Sequence, residues 1–196
     1  MVKKFFNIAL LLFFLGSFSL IYSFEDSDIF LDSVFLSAVK NSNHEKVRNI
    51  LEESVSNIEK KIAIDILDEK KMNALSYSLK NDDSKMYEIL IDYGADVNKK
   101  VLSGQTILIY YISTEKNQLL KKIIESGCNV NAQDKLGRTS IMVAIESLND
   151  YAVKVLSEHE YDITHTDYSG NTIYEYLDKI RNVRKKNLYK NLLDIQ

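Results

Sequence analysis

The sequence predicts an all-α solenoid of about five stacked helix–turn–helix units, preceded by a hydrophobic leader. Short motifs recur at one interval: Gly94, Gly127 and Glu160 lie 33 residues apart, and the first two open the endings Gly-x-x-Val-Asn. A Gly-x-Thr motif follows at the same interval, at residues 104–106, 137–139 and 170–172. A fixed period of this length indicates a repeat architecture, in which neighbouring units bury one another's apolar faces.

The first 24 residues form the leader. Lys3 and Lys4 precede an apolar run over residues 5–15, and the small residues Ser17 and Ser19 follow. This layout predicts a secretory signal peptide. The uncharged stretch 5–24 is also long enough to cross the ~30 Å of bilayer hydrocarbon, so an uncleaved membrane anchor is the alternative. Both alternatives predict export of the rest of the chain, to the periplasm or the extracellular space.

Five units are predicted after the leader, at approximately residues 30–58, 70–100, 103–133, 136–166 and 169–196. Each has one apolar helix seed after its Gly-x-Thr motif, or after the counterpart of that motif, and a second apolar pair later. Thr106, Thr139 and Thr172 are expected to cap the first helix through their hydroxyls. Gly94 and Gly127 follow the second helix, where a left-handed backbone is expected. The final helix has a polar, basic outer face, as the last unit of a stack requires.

These motifs resemble the ankyrin repeat, over roughly residues 28–196. Gly104-Gln105-Thr106, Gly137-Arg138-Thr139 and Gly170-Asn171-Thr172 align without gaps and in phase with the Val-Asn endings. The resemblance implies helix pairs joined by extended finger loops, which present a platform for other proteins and perform no catalysis. A monomer that binds a protein partner of unknown identity is therefore expected. A structural or protective factor for an envelope protein is the alternative.

Composition argues against several other classes of protein. The net charge of −3 gives no electrostatic basis for nucleic-acid binding. The single cysteine, Cys128, excludes an intramolecular disulfide and is expected to be a small buried side chain. No cofactor and no catalytic residue are predicted, because the sequence contains no phosphate loop, nucleophile elbow or His-Glu metal helix.

Two local clusters have alternative interpretations. The stretch 158–167 contains His159, Asp162, His165 and Asp167, which are zinc-ligand types and would suit a small metal-dependent hydrolase. A water-facing finger explains them more simply, so no metal site is predicted. The basic run 179–190 could contact phosphate or lipid headgroups, and a solvated helix face is the simpler alternative. Membrane contact is otherwise expected only through an uncleaved leader.

A protein-binding surface is hypothesised on the finger segments. Apolar or aromatic side chains on water-facing loops suggest a partner surface, and the Gly-x-Thr motifs add polar residues beside them. The candidate residues are Met72, Leu102, Gln105, Leu136, Arg138 and Tyr168. All four apolar or aromatic members of this set are expected to be exposed.

Overall fold

The structure is a computed structural model that describes residues 30–57, 62–102 and 104–195. The predicted leader lies outside these residues. The chain divides into two compact units, residues 1–63 and 64–196. Within the described ranges, no helix is both long enough and apolar enough to cross a bilayer.

The described part of the first unit is a helix pair. Helix α1 covers the described residues 30–40, and α2 covers His44–Ser56. The Asn43 side chain caps α2 by accepting a hydrogen bond from the backbone N–H of Lys46 at 3.0 Å. Both helices bury one apolar face, formed by Phe35, Leu36, Ala38, Val39, Val47 and Leu51.

The second unit contains four helix pairs in its described residues. They are α3 (Ala74–Lys80), α4 (Ser84–Asp92), α5 (Ile107–Ser113), α6 (Leu120–Glu125), α7 (Ser140–Glu146), α8 (Asp150–Ser157), α9 (Ile173–Asp178) and α10 (Val183–Leu192). The odd-numbered members, here called the inner helices, stack in sequence, and each also contacts the outer helix that follows it. The predicted all-α class is confirmed, since the described residues form helices and no strand.

The core of the second unit runs through the inner helices. Their fully buried side chains include Leu75, Leu79, Ile107, Leu108, Ile109, Tyr111 and Ile112. Burial of one such side chain contributes about 1.5–3 kcal/mol, and each inner helix between two others buries apolar side chains on both sides. The last inner helix, α9, buries only Ile173, Tyr176 and Leu177 and leaves Tyr174 exposed. The stack of inner helices therefore ends at α9, and α10 completes the core with the buried Tyr189.

The expected threonine caps form at two of the three sites. The Thr106 hydroxyl accepts a hydrogen bond from the N–H of Ile109 at 3.3 Å, and Thr172 forms a capping box with Glu175. Asn73, at the equivalent position one repeat before Thr106, caps α3. Thr139 makes no cap bond, and its buried hydroxyl has no hydrogen-bond partner among the described residues. The prediction is therefore wrong for Thr139, because its side chain is enclosed without reaching the helix N–H groups.

Three of the four outer helices begin at an Asn or Asp that accepts a backbone N–H. These residues are Asp83, Asn149 and Asn182, spaced by a multiple of the repeat. Lys116 occupies the equivalent place before α6, which starts later, at Leu120, without a side-chain cap. The phenol oxygen of Tyr111 instead accepts the N–H of Leu119 at 3.0 Å. An inner-helix side chain thus replaces the missing cap.

The repeated Val-Asn endings join consecutive repeats within the second unit. A side-chain oxygen of Asn98 accepts the N–H of Asn129 at 2.8 Å, and that of Asn131 accepts the N–H of Asp162 at 3.4 Å. Asp65 stands one period earlier and accepts the N–H of Asp96. The left-handed conformation expected at the preceding glycines is confirmed, with φ of 87° at Gly94 and 83° at Gly127.

Candidate functional site

The finger turns are closed by aspartates at a fixed place in the repeat. Asp134 Oδ1 accepts the N–H groups of Leu136 and Arg138 at 2.8 and 3.0 Å. Asp167 Oδ1 accepts those of Ser169 and Asn171, both at 2.8 Å. Asp68 makes the same pair of bonds two repeats before Asp134. A carboxylate that bonds two backbone N–H groups of its own turn fixes the finger conformation before any partner arrives.

The second oxygen of each aspartate ties the finger to an inner helix or to a neighbouring side chain. Asp167 Oδ2 accepts the Tyr176 hydroxyl at 2.7 Å. Burial alone would raise the pKa of Asp167, but the bonds from Asn171, Tyr176 and the turn N–H groups lower it well below its usual range. Burial, together with the same pairing, raises the pKa of Tyr176. The ionised carboxylate and the neutral phenol therefore form one charge-assisted hydrogen bond.

The second finger lacks this aspartate. Val101 occupies the position, and its backbone pairs with Gln105 through N–H to carbonyl bonds of 2.8 and 3.0 Å. Leu102 then adopts a left-handed backbone, with φ of 43°. Among the described residues of this turn, main-chain bonds between Val101 and Gln105 take the place of the aspartate bonds, and the leucine adopts an unfavourable conformation.

Adjacent fingers contact one another directly. The N–H of Tyr168 donates to the carbonyl of Leu136 at 3.0 Å, and His165 Nε2 lies 2.7 Å from the carbonyl oxygen of Gly137. The Tyr168 ring lies against Gly137, so that a Cβ added there would stand 2.6 Å from the ring. Two repeats earlier, the N–H of Leu102 donates to the carbonyl of Lys71 at 2.6 Å. These bonds fix the positions of neighbouring fingers relative to one another.

Two of the six hypothesised binding residues lie together and are well exposed. Tyr168 exposes 75% of its surface and Leu136 exposes 49%, and the two are joined by the backbone bond described above. Leu102 and Gln105 are half-buried, so the expected exposure of Leu102 is wrong. The expected exposure of Met72 is wrong: it exposes 6% and belongs to the core.

Arg138 is the most heavily bonded of the six. Its Nε and one terminal nitrogen donate to Asp134 Oδ2 at 2.9 and 2.7 Å, and its other terminal nitrogen pairs with Glu146. Burial alone would lower the pKa of Arg138, but the bond and charge of Asp134 raise it. Arg138 thereby connects its finger to the end of α7. Its guanidinium is engaged within the repeat.

Both aspartates of the third-finger cluster have structural partners. Asp162 Oδ1 accepts the N–H and hydroxyl of Thr164 at 2.9 and 2.7 Å, and Asp167 is held as described above. Among the residues that the structure describes, no group of three or more His, Cys, Asp or Glu side chains is arranged to hold a metal ion.

Cys128 is less buried than the sequence predicts, at an intermediate level of exposure. The burial that remains raises the pKa of its thiol to about 11. The thiol is therefore protonated at neutral pH and is a poor nucleophile.

Two features of this surface escaped prediction. The contact of Tyr168 with Gly137 joins residues 31 positions apart, and only the stacking of two fingers brings them together. The aspartate at position 68 had a usable signal, because Asp68, Asp134 and Asp167 fall on multiples of the 33-residue period.

A comparison with protein families agrees with this geometry. A family model described as ankyrin repeats (3 copies) matches residues 99–167. No match was found among curated proteins. The matched residues include two Gly-x-Thr motifs and the Val-Asn ending at Asn131, which the structure places in finger turns and between stacked units. Repeats of this family are typically non-enzymatic and support protein–protein interaction. Residues 99–167 are therefore similar to ankyrin repeats, which supports the predicted resemblance over that range.

Proposed function

We propose that the second unit binds a protein partner through its fingers, and that the chain does so outside the cytoplasm. The finger surface comprises Leu102, Gln105, Leu136, Arg138 and Tyr168, with Leu136 and Tyr168 as its anchors. The observation that carries the proposal is the exposure of an aromatic and an aliphatic side chain side by side, at 75% and 49%.

Exposed apolar side chains of this kind favour association. Tyrosine is enriched at the energetic centres of protein interfaces, because it presents a large rigid surface and a polar end. Each Å² of apolar surface that such an anchor buries in a partner contributes about 25 cal/mol to the binding free energy. The Tyr168 and Leu136 side chains have no role in the core that would otherwise explain them.

The fingers are ordered before binding. The turn bonds to Asp134 and Asp167, and the bond from Tyr168 N–H to Leu136, fix the backbone under both anchors. Binding therefore costs this surface less conformational entropy than it would cost a flexible loop. Arg138 contributes through this scaffold, because its guanidinium is bonded to Asp134 and Glu146.

The proposed role is recognition without catalysis. The metal-dependent hydrolase and the protective envelope factor remain alternatives that no observation of the described residues favours. Export rests on the leader, in which Lys3 and Lys4 precede the apolar run 5–15. Cell fractionation tests this part separately: recovery of full-length protein in the soluble cytoplasmic fraction would exclude export.

Site-specific photocrosslinking in the native host tests the finger surface. A photoreactive phenylalanine analogue replaces Tyr168 in the full chain, and the matched control carries it at Tyr151, an exposed tyrosine on the outer helix α8. The proposal expects a discrete adduct from position 168, absent at position 151 and reduced when Leu136→Ser is added. Equal adducts at both positions, or no adduct at position 168, would remove the case for the finger surface.

A further inference from the structure

We propose that a groove at the ends of α7 and α9 binds a short acidic peptide segment that carries an apolar side chain. The groove has a volume of about 390 Å³ and lies where these inner helices end and the turns to α8 and α10 begin. The fingers lie at the opposite, N-terminal ends of the same helices. The seven residues of α7 separate the two surfaces by roughly 10 Å, so the groove is distinct from the finger surface.

The floor of the groove is apolar. Ile145, Tyr176 and Ile180 are buried beneath it, and Leu148 extends over it with 45% of its surface exposed. The volume falls within the range of about 300–1,000 Å³ that is typical of ligand-binding clefts. One aromatic or aliphatic side chain of a partner can therefore enter.

Leu148 has no local structural reason to be a leucine. It lies in the turn between α7 and α8 with φ of 54°, in the left-handed region that disfavours large side chains. The equivalent turn positions, one and two periods earlier, are the polar residues Glu115 and Asp82, at φ of 59° and 53°. A role in lining the groove accounts for an apolar residue at this place.

The rim of the groove is basic. Lys179 and Arg181 line it and are exposed. Lys179 Nζ lies 4.6 Å from the centre of the Tyr176 ring, which holds the ammonium over the floor. Arg181 has no ion pair among the described residues. Both cations can therefore receive carboxylates from a partner.

The carboxylates near the groove have ion-pair partners. Their ion pairs are Glu146 with Arg138, Asp178 with Lys186 at 2.6 Å, and Asp150 with Lys185 at 2.9 Å. Glu146 is the acid that lines the groove itself. Arg138 also pairs with Asp134, so Glu146 is only partly neutralised, but the two cations that have no ion pair among the described residues leave the rim net positive. A positive rim complements an acidic segment and disfavours a basic one.

The shape of the site favours a peptide over a lipid surface. The groove is concave and its apolar floor lies below the cations, whereas a bilayer surface meets cations and apolar side chains that protrude. A peptide can place one side chain into the groove while its flanking carboxylates reach Lys179 and Arg181.

The test uses the full chain with isotope-labelled Ile and Leu methyl groups, observed by NMR. The probe is a pool of short peptides with a central Leu or Phe flanked on both sides by Asp and Glu. We expect saturable shifts of the Leu148 and Ile180 methyl signals. Lys179→Glu/Arg181→Glu should weaken binding by about tenfold or more. Lys121→Glu/Lys135→Glu, which makes the same charge change at exposed lysines elsewhere in the unit, should leave it unchanged.

Several results would overturn the proposal. Absence of shifts at the highest soluble peptide concentration would do so, as would equal loss of binding in both charge-reversal variants. Equal binding of a pool with Lys in place of the acids would show that the rim does not select charge. Vesicles containing phosphatidylserine that shift the same methyl signals, when the acidic pool does not, would assign the rim to a membrane. If finger-surface crosslinking is absent but peptide binding is intact, the proposed function fails and the groove proposal is supported.

Discussion

The ring of Tyr168 lies across the backbone of Gly137. A Cβ at position 137 would stand 2.6 and 2.8 Å from Cδ1 and Cε1 of the ring and 2.9 Å from the Tyr168 nitrogen. Gly137 also has φ of 78°, so its conformation and its closest neighbour both require glycine. The most exposed aromatic of the finger surface is thus positioned by a residue without a side chain.

Gly137→Ala should destabilise the protein more than Gly127→Ala. Both glycines have φ near 80°, and that strain costs about 1 kcal/mol at each. A Cβ at Gly127 has nothing within 4 Å, whereas one at Gly137 collides with Tyr168. Denaturant unfolding of the two variants measures the difference. Equal losses of unfolding free energy would contradict the close contact.

Thr106→Val and Thr139→Val should have different effects although both residues stand in Gly-x-Thr motifs. Thr106 caps α5, so its loss should cost about 1 kcal/mol. Thr139 has a buried hydroxyl with no partner among the described residues, so a methyl of the same size should be neutral or stabilising. Chemical denaturation of both variants tests this pair. A loss at Thr139 as large as that at Thr106 would indicate a cap bond there as well.

Tyr111→Phe should cost about 1–3 kcal/mol of unfolding free energy. The substitution removes the acceptor of the buried Leu119 N–H and the hydroxyl that donates to Asp82 at 3.2 Å. Tyr110→Phe is the control, because the Tyr110 hydroxyl has no hydrogen-bond partner among the described residues. Thermal melting of both variants provides the comparison. A Tyr111→Phe variant as stable as the control would mean that α6 begins without this bond.

Asp167→Asn should lower stability at neutral pH and flatten its dependence on acid. The folded-state pKa of Asp167 is depressed below the ordinary value of 3.8. Its contribution is therefore present above pH 3.8 and is lost as the pH falls toward the folded-state pKa. Unfolding free energies measured between pH 6 and pH 2 should fall less steeply for the variant than for the parent. A variant whose unfolding free energy falls as steeply as that of the parent would contradict this contribution of Asp167.

The sequence predicted the features that depend on local geometry. Gly94 and Gly127 follow outer helices and have positive φ as predicted. A left-handed backbone at a helix end depends on the local sequence and not on contacts with other repeats. Burial at Met72 did depend on other units. Its equivalents Gln105 and Arg138 are half-buried and carry polar ends that reach water, whereas methionine has none and is enclosed.

The groove and the Tyr168 contact were beyond prediction for the same reason. Leu148 and Ile180 are 32 positions apart, and they meet only because α9 stacks on α7. A period shows which positions are equivalent. It does not show which side chains of consecutive units touch when one unit departs from the pattern, as Leu148 does among polar turn residues.

Leu148→Asn should separate groove binding from stability. Asparagine tolerates the left-handed backbone, so relief of strain should gain about 1 kcal/mol. Loss of the buried half of the leucine should cost about 1 kcal/mol, since full burial contributes about 1.5–3 kcal/mol. The two effects offset each other, and unfolding free energy should stay within about 0.5 kcal/mol of the parent, while binding of the acidic peptide pool weakens. A loss of 2 kcal/mol or more on denaturation would place Leu148 in the core, and unchanged peptide binding would remove it from the groove.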